Sequence, residues 1–263
     1  MSRTRKIYFA RLVLRILVLI TAILLLIFYP KAYNVLEKGQ FLSAFSPLHL
    51  LWGVWMLDML CQIIPMGKQA TISLGSMKLF KNRFKPIKDK INKEVLKKYI
   101  STTTKGAYKV FLLWVLLLGI IAALYFTKII DKRILFLISV LFYVCDLICV
   151  LIWCPFRLIM KNKCCTTCRI FNWDHLMMFT PMMFVISFYS LSLLAMSMVA
   201  FAVWELCVLI FPERFWEYSN SSLKCSECTD KLCTQYCRKL RTKKYKDMHR
   251  PETIEQNLTK EQN

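Results

Sequence analysis

Residues 134 to 156 read ILFLISVLFYVCDLICVLIWCPF and contain one charged side chain, Asp146, in 23 positions. As a helix this run rises about 34 Å, enough to cross a hydrocarbon layer of roughly 30 Å. Its reading decides the fold, because three more runs of the same character lie upstream. They are IYFARLVLRILVLITAILLLIFYP (7 to 30), SAFSPLHLLWGVWMLDMLCQIIP (43 to 65) and YKVFLLWVLLLGIIAALYFTKII (108 to 130). The chain is therefore expected to be an all-α polytopic transmembrane helix bundle.

Downstream, residues 175 to 211 form an apolar stretch of 37 residues. One straight helix of that length would reach about 55 Å, nearly twice the hydrocarbon thickness. Two short spans turning near SFYSLS fit better and bring the total to about six. A re-entrant segment or one long projecting helix are the alternatives. Arg11 and Arg15 lie near the start of the first run, where they are expected to snorkel toward headgroups. No small-residue cleavage site follows that run, so it reads as an anchor rather than a signal peptide.

Composition agrees: 57 % of the 263 residues are hydrophobic and 20 % are charged. The formal charge of +21 lies mostly between and after the apolar runs, a placement that follows the positive-inside rule rather than a nucleic-acid surface. Residues 66 to 107 carry eleven Lys/Arg against Asp89 and Glu94, which places this loop in the cytoplasm, beside anionic lipids. Within it Phe80, Phe84, Ile87, Ile91, Val95 and Tyr99 recur at helical spacing, predicting a surface-lying helix that Pro86 splits into two pieces. Residues 1 to 212 then form the membrane domain, with the basic loop 66 to 107 and a cysteine-rich loop 154 to 175. Residues 213 to 263 form a basic, cysteine-rich tail, and both ends are expected on the cytoplasmic side of the membrane.

Twelve cysteines are present, and eight fall into two quartets. The loop holds Cys154, Cys164, Cys165 and Cys168; the tail holds Cys225, Cys228, Cys233 and Cys237. Cytosolic thiol clusters are more often metal sites than disulfides, because thiolates are soft ligands whose repulsion a metal relieves. The tail spacing C-x2-C-x4-C-x3-C is denser than the two separated knuckles of a zinc site and approaches a ferredoxin run. An iron–sulfur cluster is thus expected on these eight residues, with structural zinc and reactive thiols as alternatives. Cys145 and Cys149 share a helix face, and Cys154 joins them only if the helix breaks near Pro155. As side chains, Cys145, Cys149, Cys61 and Cys207 read as small packing residues.

Asp58, Asp146 and Glu205 lie inside apolar runs, where an ionised carboxylate costs at least about 2.5 kcal/mol. Such groups face a partner or a wet cavity, and Asp146, beside Cys145, is the candidate proton relay. Asp58 and Glu205 are read as structural hydrogen-bonding groups or interfacial residues, and His49 as an interfacial histidine. Met177, Met178, Met182 and Met183 around Pro181 could offer thioethers to Cu(I), but at helical spacing they read as packing. Asp174 is placed to cap a helix carrying His175, within reach of a supporting role at the thiols.

CCTTCRIFNWDH, with MMFTP, PERFWE and CTDKLC, resembles a set of uncharacterised bacterial multi-pass membrane proteins with a CCxxCRI-aromatic-NWD core. The resemblance spans about residues 145 to 233 and implies an inner-membrane setting but no activity. A weaker analogy runs to membrane-bound polyferredoxin-type proteins, whose clusters pass electrons into the membrane. The leading expectation is an inner-membrane metalloprotein with a redox or electron-transfer role, a component of a membrane oxidoreductase working with a redox protein or quinone. A structural zinc scaffold and a soft-metal transporter or sensor are its rivals. No GxxxxGK[ST] or GxGxxG run advertises a nucleotide site.

Overall fold

The computed structural model describes residues 3–43, 45–63, 84–87, 93–160 and 168–224. Seven α-helices among them are numbered in chain order: α1 (Arg3–Phe28), α2 (Pro47–Ile63), α3 (Lys93–Phe126), α4 (Lys132–Leu151), α5 (Phe156–Met160), α6 (Asp174–Phe179) and α7 (Phe188–Ile210). Four of them, α1, α3, α4 and α7, are long and apolar enough to cross a membrane. The expected second span is α2, whose 17 residues rise about 26 Å.

Helix boundaries follow local chemistry. Asp131 accepts hydrogen bonds from the backbone N–H groups of Arg133 and Ile134, both at 3.0 Å, capping α4. Ser187 does the same for α7 through Ser190 N–H at 3.2 Å, and Pro47 opens α2 behind the hydroxyl of Ser46. The 175-to-211 stretch turns at Val185–Ser187, at the start of the SFYSLS run. Its first half is α6 followed by a 3₁₀ turn over Thr180–Phe184, short and irregular because Pro181 cannot extend an α-helix.

The passes are antiparallel. His175 meets Gln62, Phe179 meets Trp55 and Phe184 meets Tyr125, so residues 174 to 186 run the length of the bundle. Tyr189 then donates to the carbonyl of Leu48 at the other end, and α7 returns. The start of α1, the end of α4 and the end of α7 consequently share one end of the bundle. At the opposite end Lys132 pairs with Glu37 at 2.6 Å.

α4 is the central helix: 44 % of its apolar stretch is buried, against 11 % for α1 and α3. The outer faces of α1 and α3 present Leu14, Leu17, Ile27, Leu112 and Leu116, all well exposed, as a surface facing lipid requires. The core gathers on Trp55, fully buried against Phe136, Tyr143 and Phe179 with ring centroids 5.1 to 5.9 Å apart.

Two expectations about the basic loop are corrected. Residues 93 to 126 form one uninterrupted helix of about 51 Å, so Val95 and Tyr99 belong to an extension of the third span rather than to a separate surface piece. Phe84 to Ile87 are not helical, because Pro86 enters an isolated antiparallel bridge with Asn220. Around it Ser221 N–H donates to Lys85 O at 2.9 Å, and Ile87 N–H to Ser219 O at 3.2 Å. This clamp ties the segment before α3 to the segment after α7.

Trp55→Ala is expected to cost about 3–5 kcal/mol by leaving a void that the rings around it cannot fill. Ile27→Ala, on the outer face, should stay within about 0.5 kcal/mol. Detergent-titrated unfolding in mixed micelles measures both, and equal losses would contradict this core.

Candidate functional site

The site begins where α4 stops. Ile152 and Trp153 still donate to the carbonyl of Ile148, at 2.8 and 3.1 Å, but Pro155 blocks continuation and disfavours helical backbone at Cys154. The chain turns, and α5 starts at Phe156. Gly106 of α3 admits α5 closely, since a Cβ there would stand 3.1 Å from Met160 Sδ. The turn folds Cys154 back under the last turn of α4, where it shares a hydrogen bond with the Cys149 thiol. This is the break that sequence geometry demands for the two to meet.

Cys154 lies beyond the spanning helix, and its acidity is raised. The hydrogen bond from Cys149 lowers its pKa against the opposing effect of burial. The backbone N–H groups of Arg157 and Phe156 and the Arg157 charge add to that, bringing it to about 7. A lowered pKa makes Cys154 the more readily ionised, and so the more nucleophilic, of the two thiols.

These two thiols open onto a cavity of about 280 Å³ between α3, α4 and the 168-to-178 segment, and Cys145 and Cys168 line it as well. Trp114, Phe142, Phe156 and Phe171 give it aromatic walls, and Met177 and Met178 contribute thioethers. Asp146 and Asp174 supply carboxylates and Arg157 a guanidinium to a lining that is mostly apolar. Four of the twelve cysteines thus converge from three separate places in the sequence.

Behind Asp146 lies a buried ionic network. Arg15 Nη1 donates to Asp146 Oδ2 and to the carbonyl of Tyr143, both at 2.6 Å, and the guanidinium sits 3.8 Å from the Tyr143 ring centroid. Asp58 Oδ2 is 4.0 Å from Arg15 Nη2 and 3.4 Å from His175 Nε2. His175 Nδ1 lies 3.3 Å from Asp174 Oδ1 and 3.0 Å from Gln62 Nε2. Arg15 therefore does not snorkel: at 12 % side-chain exposure it points inward, because two carboxylates in an apolar bundle attract it more than distant headgroups do.

A second pair fixes the wall carrying Cys168. Arg169 and Glu205 form a bidentate pair at 2.6 and 2.5 Å, and Trp173 Nε1 donates to the same carboxylate at 2.8 Å. Trp204 Nε1 donates to the carbonyl of Arg169 at 2.8 Å. The CRIFNWDH run is thus anchored at Arg169, Trp173, Asp174 and His175, and Glu205 is a structural hydrogen-bonding group, as its place in an apolar run suggests. Asp174 stands in the first turn of α6 without capping it. His49 is satisfied at the opposite end, with Nε2 2.7 Å from Phe41 O.

Of the expected metal ligands, Cys154 and Cys168 are described and line one cavity; Cys164, Cys165, Cys225, Cys228, Cys233 and Cys237 lie outside the described residues. Among the described residues no three His, Cys, Asp or Glu side chains form a group that could hold a metal ion. A tetrahedral zinc or a four-thiolate cluster needs four ligands, whereas Cys149 and Cys154 supply two. Cys145 and Cys149, read from the sequence as packing residues, are cavity residues; their spacing four apart tells that they share a face but not that the face meets a cavity. No family model, curated protein or solved structure matches the chain, so no family is identified.

Arg15→Leu is expected to cost about 3–5 kcal/mol, because it leaves buried carboxylates uncompensated, and Arg15→Leu with Asp146→Leu should recover most of it. Unfolding of both variants in mixed micelles checks this; a double variant no more stable than the single would break the pairing. Iodoacetamide alkylation of Cys154, followed by peptide mass spectrometry, should rise with pH through a midpoint near 7. In Cys149→Ala that midpoint should move upward.

Proposed function

We propose that the protein is an integral membrane thiol redox protein whose working pair is Cys149 and Cys154. The observation that carries this reading is that Cys149 and Cys154, brought together by the break at Pro155, line one cavity with Asp146. In the exchange step, the Cys154 thiolate attacks one sulfur of a partner disulfide and releases the other as a thiolate. Cys149 then attacks Cys154 of the mixed disulfide, the second partner sulfur leaves, and the Cys149 proton is lost. One S–S bond forms in the protein as one breaks in the partner. Asp146, on the same helix as Cys149 and anchored by Arg15, is the group assigned to relay that proton.

A metal centre is the second reading. Cys168, held on the cavity wall by the Arg169–Glu205 pair, favours it, because it leaves a thiol of the CCxxC run beside Cys154. There Cys164, Cys165 and Cys168, with Cys225, Cys228, Cys233 and Cys237, would hold an iron–sulfur cluster or zinc and exchange electrons with the cavity pair. The setting proposed is the inner membrane with both ends cytoplasmic. Its support is that the described chain ends share one end of the bundle with Lys93, Lys97, Lys98 and Arg157.

Anaerobically purified full-length protein, equilibrated across ratios of reduced to oxidised glutathione and then alkylated, should form a Cys149–Cys154 disulfide reversibly. Thiols persisting at both positions across every ratio would overturn the redox reading. Metal analysis of the same sample, repeated for Cys165→Ser and Cys228→Ser, decides the second: iron with sulfide, or zinc, should fall in both variants, and unchanged content in both would remove it.

A further inference from the structure

Resting on the redox reading, we propose that the cavity beside Cys149 and Cys154 is the site of a lipid-soluble quinone, the oxidant of this dithiol. Three observations point to that class. The cavity, at about 280 Å³, lies at the small end of sites for small organic molecules, room for a single ring system rather than a peptide. Trp114, Phe142, Phe156 and Phe171 give it aromatic surfaces on which a planar ring can stack. It is framed by Trp114 and Leu117 of α3 and Phe142 of α4, both helices long and apolar enough to span a membrane, which suits an apolar occupant dissolved in lipid.

The two remaining wall features suit the chemistry. A quinone accepts two electrons and two protons, and a dithiol releases both. The step is Cys149–SH plus Cys154–SH plus quinone giving the Cys149–Cys154 disulfide plus hydroquinone. Two S–H bonds break, one S–S bond forms, the electron pair goes to the ring and the protons go to its two oxygens. Asp146 faces the cavity from the same helix as Cys149 and passes a proton toward the ring. Its charge is held by Arg15, while Asp174 faces the cavity from α6 and is paired with His175.

The experiment uses reduced full-length protein in nanodiscs, mixed anaerobically with decylubiquinone, whose fully substituted ring resists addition of thiols. Loss of the quinone's ultraviolet band and the Cys149–Cys154 disulfide, read by mass spectrometry, should appear in equal amounts, and both should vanish in Cys149→Ser and Cys154→Ser. Leu117→Trp, which fills the cavity from α3 without touching the thiols' chemistry, should lose the reaction with quinone. It should keep disulfide formation by the hydrophilic oxidant diamide, which also shows that the variant retains its dithiol. Disulfide formation by diamide but not by quinone in the unaltered protein would overturn the quinone site and leave the redox reading standing, as would full quinone reduction in Leu117→Trp. Failure with both oxidants would remove the redox reading itself.

Discussion

A guanidinium inside an apolar bundle must find its counter-charge, and the pairing of Arg15 with Asp146 at 2.6 Å sets much else in this molecule. Moving either residue one turn along its helix would leave a charge in hydrocarbon, so the pair fixes the register of α1 against α4. Asp58 and His175 extend the constraint to α2 and α6. Four helices, α1, α2, α4 and α6, are thereby locked near the end of the bundle where α4 breaks. Such a network contributes little net stability, since desolvation offsets most of the attraction; what it supplies is a single arrangement.

That arrangement makes the cavity possible. With α4 held, Pro155 dictates where the helix ends, and the turn after it has one direction left to take once Gly106 lets α5 settle against α3. Cys154 then meets Cys149, a contact that a continuous helix would forbid. On the other side Arg169 and Glu205 hold Cys168 and Phe171 in place through a second charge pair. Two independent ionic anchors therefore position the walls of one thiol-lined space.

Much of the architecture is legible from hydrophobic run length, because lipid imposes one requirement on every spanning segment: satisfy the backbone internally over a fixed thickness. The turn at Ser187 is legible for the same reason, since 37 apolar residues exceed one crossing. The inward turn of Arg15 is not, because its partners are 43 and 131 positions away, and a single sequence carries no sign of which distant carboxylate a helix will face. Nor is the continuity of α3, because Pro86 marks a break but not on which side helix resumes. Cys145 and Cys149 resemble packing residues in sequence, since a four-residue interval tells which face they share and nothing of what that face meets. Asp146 stands out from sequence alone, because its cost in an apolar run is independent of context.

The clamp between Lys85–Ile87 and Ser219–Ser221 also bears on the tail. Cys225 follows Lys224 directly, so in sequence the first thiol of the second quartet comes four residues after Ser221 of the clamp. The nearby ring contact of Tyr99 with Trp216, at 5.8 Å, sits on the same side as Cys168. The clamp therefore holds Ser219 to Ser221, the last stretch before the tail cysteines in the chain, on the end of the bundle that carries Cys168.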